Sequence, residues 1–546
     1  MGILFIKRKK GYLTTKKCFK IVIEILIVSI LLTTICMYIN RDIVLKGLFM
    51  DDLANWSWFR GLSFYDFAIK FYNSTRYRPV FEGLQYLIYT IVGTDPTRFT
   101  LINKIYNIVI ALFIYYFVRK LNAGIAISFI TSVFYIIAHY AYYQIGQAIG
   151  TIESTALFLS LIVLFLCLRL IGIIEMKKNF NIKLYYRDRI LNIFFIFITY
   201  FLLVFDHERF LGTASIIVIA ILFMAPIKHY DINIGTINDS KVNTNIKIIC
   251  LFIYAIEIVV ILLIRYLAIG KVIPAGTGGT YVEDTFNFNS FISYCLNQVA
   301  IIFGINIGPE HLVGISFSDI ADYKIKYTVF ISIAVIVVII VSYVIVRVKN
   351  IIYKKENKNS QSYLNVADLI FLVFIASCIA SSSVTIRVEL RFVYVSFVAS
   401  LIYLAYMCTY LFNRFDNYAV KVVYTILFVT VFIMRLPAEL LYRNNFKNIY
   451  CYIDTKRINS LYDFTMGIYG VSDVLHNKKV YLVGDMFGMT NFYAEYFYKI
   501  YDKDNVGNKI ILIDNYTNLP IEALDDESIV LYEDYSLNCY SPLSIK

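Results

Sequence analysis

Two adjacent carboxylates stand in Gly47-Leu-Phe-Met-Asp51-Asp52-Leu-Ala-Asn-Trp56-Ser-Trp58, just after a long apolar run. Burial and like-charge repulsion both raise a carboxyl pKa, and one member of such a pair becomes a usable base near neutral pH. The plainer alternative is two surface acids beside an interfacial tryptophan belt. A second cluster, Asp206-His207-Glu208-Arg209, lies between two apolar runs. It reads as a solvated turn, or as a cavity wall on which His207 or Glu208 orients a polar ligand. In Thr385-Ile-Arg387-Val-Glu389-Leu-Arg391, charges alternate at the edge of another apolar run. Charge this near a bilayer is costly and often functional. Arg387 and Arg391 are therefore candidates for holding a lipid phosphate; snorkelling, or a structural pair with Glu389, is the alternative.

The elements that must position these groups are membrane spans. Of the 546 residues, 59% are hydrophobic and 16% charged, against roughly 45–50% and 25% in soluble domains. A soluble globular enzyme and a disordered chain are both excluded. Several apolar segments reach about 20 residues, the length that crosses a bilayer core, and they lack the alternation of a β-barrel. The fold expected is an all-α polytopic membrane protein of about 11 spans. After a first span ending near Ile39, the others fall near 98–118, 123–144, 154–174, 190–205, 211–227, 247–268, 326–347, 365–385, 391–413 and 419–437. Residues 1–437 form this domain, with a first outer loop at 40–97.

The net charge of +12 calls for no nucleic-acid partner, because basic residues gather in cytoplasmic loops. Arg119-Lys120, Lys177-Lys178, Lys228, Lys349 and Arg414 fall on one side; Asp51, Asp52, Glu153, Asp206, Glu208, Glu283 and Asp319 fall on the other. The alternation holds if residues 79–93 do not cross. Fifteen residues reach only ~22 Å, so they are expected as a short helix at the outer interface. The N-terminus is then cytoplasmic. The polar segment 438–546 becomes an extracytoplasmic α/β domain of a cell-membrane protein, with strands near 480–484, 509–514 and 528–532 and a helix at 489–502. Glu24, His139, Glu257 and Asp368, each alone in a span, are expected mainly to bond helix to helix. The nine cysteines form no CxxC pair, and Pro-Ala-Gly-Thr-Gly-Gly at 274–279 lacks the ending of a phosphate loop.

A resemblance enters with Arg76-Tyr77-Arg78-Pro79-Val80, followed by Gly93-Thr-Asp-Pro96 and then Asn103 at the start of the next span. An acidic pair after the first span, a Tyr-Arg-Pro element, a Gly-x-x-Pro turn and that Asn together resemble the GT-C glycosyltransferases. The protein O-mannosyltransferase-like and TMTC-like members are the most similar. The family carries an acidic residue before its fourth span, and Glu153 occupies that place. It carries a polar cluster in the third outer loop, which Asp206 to Arg209 match by position but not in wording. The resemblance covers about residues 20–230 and fades beyond.

The resemblance implies an enzyme that takes sugar from a polyprenyl-phosphate-linked donor lying among membrane lipids. It passes the sugar to a surface glycan, lipid or protein at the outer face. The catalytic set is then Asp51, with Asp52 and Glu153; Arg78, His207, Glu208, Arg209, Arg387 and Arg391 are the substrate-binding set. A carboxylate removes the acceptor proton, and an arginine receives the phosphate. The resemblance names no cofactor that all members share. A divalent metal, Mg or Mn, on Asp51, Glu153 and His207 stays open, with no spacing rule behind it. A flippase for lipid-linked sugar and a non-catalytic membrane scaffold are the competing readings.

Overall fold

The computed structural model describes residues 2–71, 76–174, 182–225, 228–231, 235–238, 240–272, 281–307, 314–352, 358–384, 388–415, 417–445, 450–467, 479–484, 489, 491–500, 509–526, 528–537 and 539–543. Among them, nine helices are long and apolar enough to cross a membrane. The first lies in α1 (Gly2–Ile39). Two helices too short to cross follow, α2 (Met50–Gly61) and α3 (Pro79–Val92). Then come α4 (Thr97–Lys120), α5 (Ile125–Ile137), α6 (Thr151–Leu170), α7 (Ile182–Asp206) and α8 (Ala214–Leu222). A hairpin of β1 (Lys228–Asp231) and β2 (Gly235–Asn238) precedes α9 (Ser240–Ile269). The helices α10 (Phe288–Ile302), α11 (Tyr323–Ile352), α12 (Lys358–Ser383), α13 (Leu390–Arg414) and α14 (Tyr418–Asn445) complete the helical body.

α6 and α13 are buried along most of their length, whereas α1, α9 and α11 expose apolar faces. A helix apolar all round is either central or lipid-facing, and both kinds occur here. The fold is polytopic and all-α, with a small C-terminal sheet.

Two expected spans are shorter than the apolar runs suggest. The run 123–144 is helical only over Ile125–Ile137, because Ala138 turns to extended backbone (ψ 140°) and His139 swings toward Glu439. Its Nδ1 lies 2.5 Å from Glu439 Oε2, and Arg435 Nε reaches Glu439 Oε1 at 2.7 Å. The run 211–227 is a 3-10 turn, Glu208–Thr213, followed by α8. Helices enclosed by protein need not match the bilayer's length. The last expected span, 419–437, is instead longer than expected. α14 runs through Pro437 to Asn445, since Glu439, Tyr442 and Arg443 are buried partners of the helical body.

Beyond it, α15 (Tyr450–Tyr462) leads to a four-stranded sheet of β3 (Lys479–Val483), β4 (Lys509–Ile513), β5 (Ser528–Asp534) and β6 (Cys539–Pro542). The order is β4-β3-β5-β6, with β3 parallel to β4 and β5, and β6 antiparallel to β5. The fourth strand was not expected, and the helix expected at 489–502 is a short α16 (Asn491–Tyr496) with a 3-10 turn, Phe497–Ile500.

This C-terminal unit grips the segment that carries the paired carboxylates. Asn459 accepts from the Lys46 amide at 2.7 Å and donates to the Val44 carbonyl at 2.8 Å. Lys46 Nζ pairs with Asp463 at 2.5 Å, and Arg60, in the last turn of α2, donates to the Ile500 carbonyl at 3.0 Å. A Cβ on Gly47 would stand 2.7 Å from Ile458 and 2.9 Å from Phe497, so only glycine fits that contact without a shift. Trp56, Phe497 and Leu531 share one apolar core. The Asn459→Ala variant removes two part-buried hydrogen bonds, a loss of about 2 kcal/mol. Hydrogen exchange at the Lys46 amide is expected to rise about 30-fold while α13 amides stay slow; an unchanged Lys46 rate would show that the grip carries no weight.

Candidate functional site

The site is assembled where the starts of α3 and α6 meet the turn that follows α7. Pro79 opens α3, where a missing N–H costs nothing, and so fixes Arg78 at its N-cap. From there the Arg78 guanidinium meets Glu208 at two points, Nε–Oε2 2.7 Å and Nη2–Oε1 3.0 Å. Glu208 comes from the turn after α7, where His207 is the N-cap and its Nδ1 accepts from the Arg209 amide at 3.4 Å. That turn sends Arg209 the other way, to Glu153 in the first turn of α6, at 2.5 Å. His207 Nε2 lies 3.7 Å from the second Glu153 oxygen. Arg209 also stacks near Phe392, and Arg391 pairs with Glu389. Thus Arg78, Glu153, His207, Glu208, Arg209 and Arg391 converge, although the first and the last are 313 positions apart. Arg387 lies outside the described residues.

The electrostatics follow from the pairing. Burial alone would raise the Glu208 carboxyl, but Arg78's charge and hydrogen bonds, with Arg265 adding, carry it down to about 2. His207 is pushed well below its ordinary range by burial and then by Arg78, Arg209, Arg76 and Arg391. It is a neutral imidazole at pH 7. Glu82, one turn into α3, is raised to about 8 by burial, with Arg78 opposing and Glu208 adding.

The two adjacent carboxylates part company. Asp51 is exposed, and its charge acts on Arg76. Asp52 is buried and accepts from the Ala148 amide at 2.9 Å and the Ile149 amide at 2.8 Å. Burial raises its pKa to about 7, against those two hydrogen bonds, with Asp51 adding. The loop it holds is also pinned by Gln85 on the Ala148 carbonyl at 3.1 Å and by Asn103 on the Gln147 carbonyl at 2.7 Å. At Gly150 a Cβ would fall 1.8 Å from the Gln144 carbonyl oxygen. This loop leads directly into Glu153, so Asp52 sets the register of the α6 entrance.

A divalent metal does not fit the expected set. Asp51 stands apart from Glu153 and His207, one Glu153 oxygen is taken by Arg209, and four arginines bear on His207. Among the described residues no group of three or more His, Cys, Asp or Glu side chains could hold an ion.

Sequence reasoning named Asp206, which is buried, but missed Arg265 on α9 and Glu82 as members of the cluster. The signal for Arg265 was present, since a lone Arg in an apolar span is itself a flag. Of the four intramembrane polar residues singled out, Glu24 bonds Arg119 and Tyr115, His139 bonds Glu439, and Asp368 bonds Arg347 and Tyr343. Both Glu257 oxygens are buried without a hydrogen-bond partner.

Compared with known proteins, the sequence matches no family model and no curated protein. Among solved structures it is similar to the Archaeoglobus fulgidus oligosaccharyltransferase. Against the apo form the identity is 12% and the TM-score 0.45, over 90% of this chain and 65% of that one. Against the complex with Zn and sulfate the identity is 13% and the TM-score 0.43, over 89% and 62%. The chain thus spans less than two thirds of the length of that enzyme.

The Asp52 shift has a direct consequence. Its folded pKa lies above the ordinary 3.8, so the native state holds a proton that the unfolded state releases. The stability it contributes is full below about pH 4 and lost as pH rises through about 7, a fall of up to about 4 kcal/mol. Thermal unfolding in detergent is expected to decline across that window in the wild type, while Asp52→Asn stays near the acid-side value. Parallel pH profiles would contradict the assignment.

Proposed function

We propose that the chain is a membrane glycosyltransferase of GT-C type, taking sugar from a polyprenyl-phosphate-linked donor at the outer face of the cell membrane. The observation that carries the reading is an exposed carboxylate, Asp51, set beside a buried cluster of arginines and acids at one end of the helical body. The resemblance of Arg76 to Asn103 to that family agrees with it. So does the loop charge asymmetry, which supports an outer position for this end. Charge gathers at this face, whereas a flippase needs a charged path at mid-membrane.

The reaction follows from these residues. Asp51 takes the proton of the acceptor hydroxyl as its oxygen attacks the anomeric carbon. The bond from that carbon to the phosphate oxygen breaks, with inversion, and the electron pair leaves on polyprenyl phosphate. Asp51 is the better base for this role because it is open to an acceptor, while both Asp52 oxygens are held by backbone amides. The Arg78–Glu208 and Arg209–Glu153 pairs are neutral overall and offer fixed donors and acceptors to sugar hydroxyls. His207, uncharged, adds a hydrogen bond without repelling the anomeric centre as positive charge develops there. The acceptor is a surface glycan, lipid or protein.

Removing a general base slows such reactions by about 100-fold or more. Surface-glycan and glycolipid composition is compared for the host, a deletion strain and Asp51→Asn at matched membrane abundance. Loss of one linkage in both mutants is expected; full retention in Asp51→Asn removes Asp51 from the mechanism. A second test separates architecture from chemistry. Arg78→Met alone strands a buried Glu208 and is expected to cost about 3 kcal/mol or more. The double variant Arg78→Met/Glu208→Leu is expected to recover most of that stability but not sugar transfer. Recovered transfer would make the pair purely structural.

A further inference from the structure

The open face of α2 carries a row of three side chains, of which only the first has been given a role. Asp51, Asn55 and Trp58 are four and three residues apart, so they share one side of the helix. The other side holds Asp52, Leu53 and Trp56, buried against the helical body and the C-terminal unit. Along the axis the row covers about 10 Å. Its Asp51 end borders the charge cluster, since the Asp51 charge acts on Arg76, two residues before Arg78. Its Trp58 end leads away, because Trp58 packs on Phe67, and Phe67 meets Tyr86 seven residues after Pro79 in α3.

The chain has only two tryptophans, both in this helix, and they do different things. Trp56 is 1% exposed and anchors the core, with the Arg60 guanidinium 4.4 Å over its ring. Trp58 is 41% exposed. Its ring lies 5.6 Å from Phe67 at 58°, so it is oriented as well as open. Asn55 Nδ2 returns to the Asp51 carbonyl at 2.9 Å, which leaves the amide oxygen to accept from a ligand. The row therefore offers a carboxylate, an amide acceptor and a flat apolar ring, in that order.

These groups match a neutral saccharide. A sugar ring has an apolar C–H face, which lies flat on an indole. Its rim of hydroxyls donates to carboxylate and amide oxygens. The row bears one negative charge and no cation, which disfavours an anionic headgroup or an acidic peptide. A bilayer is met by an apolar helix face, whereas two of the three members here are polar.

We propose that this face of α2 binds the acceptor as a neutral glycan. One sugar ring stacks on Trp58, and a neighbouring ring along the row presents its hydroxyl to Asp51. The inference rests on the proposed sugar transfer and selects the glycan among its acceptors. Trp58 and Asn55 are then specificity-determining residues that take no part in the bond changes.

Binding is measured apart from transfer. Purified full-length protein in detergent, as wild type, Asn55→Ala, Trp58→Phe and Trp58→Ala, is titrated calorimetrically with neutral oligosaccharides released from the host's own envelope. Peptides from the same envelope are titrated in parallel. The oligosaccharides are expected to bind Trp58→Ala about tenfold more weakly than wild type, Trp58→Phe at intermediate strength and Asn55→Ala about fivefold more weakly. Thermal unfolding checks that each variant is folded; Trp58→Phe and Asn55→Ala carry the test if Trp58→Ala is not. Binding of the peptides instead, no oligosaccharide binding, or equal binding by wild type and the variants would overturn the proposal. So would fluorescence quenching by brominated phospholipid that Trp58→Phe abolishes, since it places the indole in the bilayer. In the host, Trp58→Ala is expected to diminish the linkage that Asp51→Asn removes. A linkage lost in the deletion and in Asp51→Asn but unaltered in Trp58→Ala removes this proposal and leaves the transfer reading standing. Oligosaccharide binding through Trp58 with no linkage dependent on the protein removes the transfer reading and leaves a glycan-binding surface.

Discussion

A charge taken out of water must be answered by another charge, and this constraint organises the structure. At short range in a low-dielectric interior an unanswered ion costs several kcal/mol. The chain meets the requirement at its cluster by pairs drawn from distant segments: α3 with the turn after α7, and that same turn with α6. The pairs serve as long-range registers. Arg78 and Glu208 are 130 positions apart, and Arg209 and Glu153 are 56 apart. Apolar packing is non-directional and would let these helices slide, whereas a two-point guanidinium–carboxylate contact fixes both distance and angle. Among the described residues of this cluster, Arg265 stands out against the pattern, its three side-chain nitrogens being buried without hydrogen-bond partners.

The segment bearing Asp51 is held differently. Met50 has φ +45°, a left-handed conformation that a side chain resists. Such strain persists only where the surroundings over-determine it. Here they act from two directions. The C-terminal unit fixes Val44, Lys46 and Gly47 before the strained residue, and Arg60 after it. Asp52, two residues on, is tied to the amides at the entrance of α6. Between these anchors Asp51 is left pointing at water. The C-terminal unit therefore bears on the site without contributing a charged group to the cluster.

Long apolar spans were legible in the sequence because length and composition alone decide them, as did the short α3, whose Pro79 start and Gly93 end are both marked. The break of α5 at Ala138 was not, since nothing local ends that apolar run; the cause is Glu439, 300 positions away. The end of α14 was misplaced for a related reason. Pro437 reads as a terminator, yet buried Tyr442 and Arg443 carry the helix past it. Within the cluster, residues next to recognisable motifs were found and isolated ones were not. Arg78 sits before a proline and Glu208 in a run of charges, while Arg265 has only Ile264 and Tyr266 beside it. Its meaning comes from the absence of a partner, which no sequence pattern displays.

The adjacent carboxylates show why residue type alone underdetermines role. Neighbours on a helix point about 100° apart, so a pair at a surface is divided between inside and outside. Asp52 takes the inside place, where burial lifts its pKa to about 7 and two amides occupy its oxygens. Asp51 takes the outside place, open to an incoming hydroxyl. The Asp52 oxygens are thereby committed to the entrance of α6. Burial and access are separated by a single peptide bond, and access is what a proton acceptor for an external substrate cannot do without.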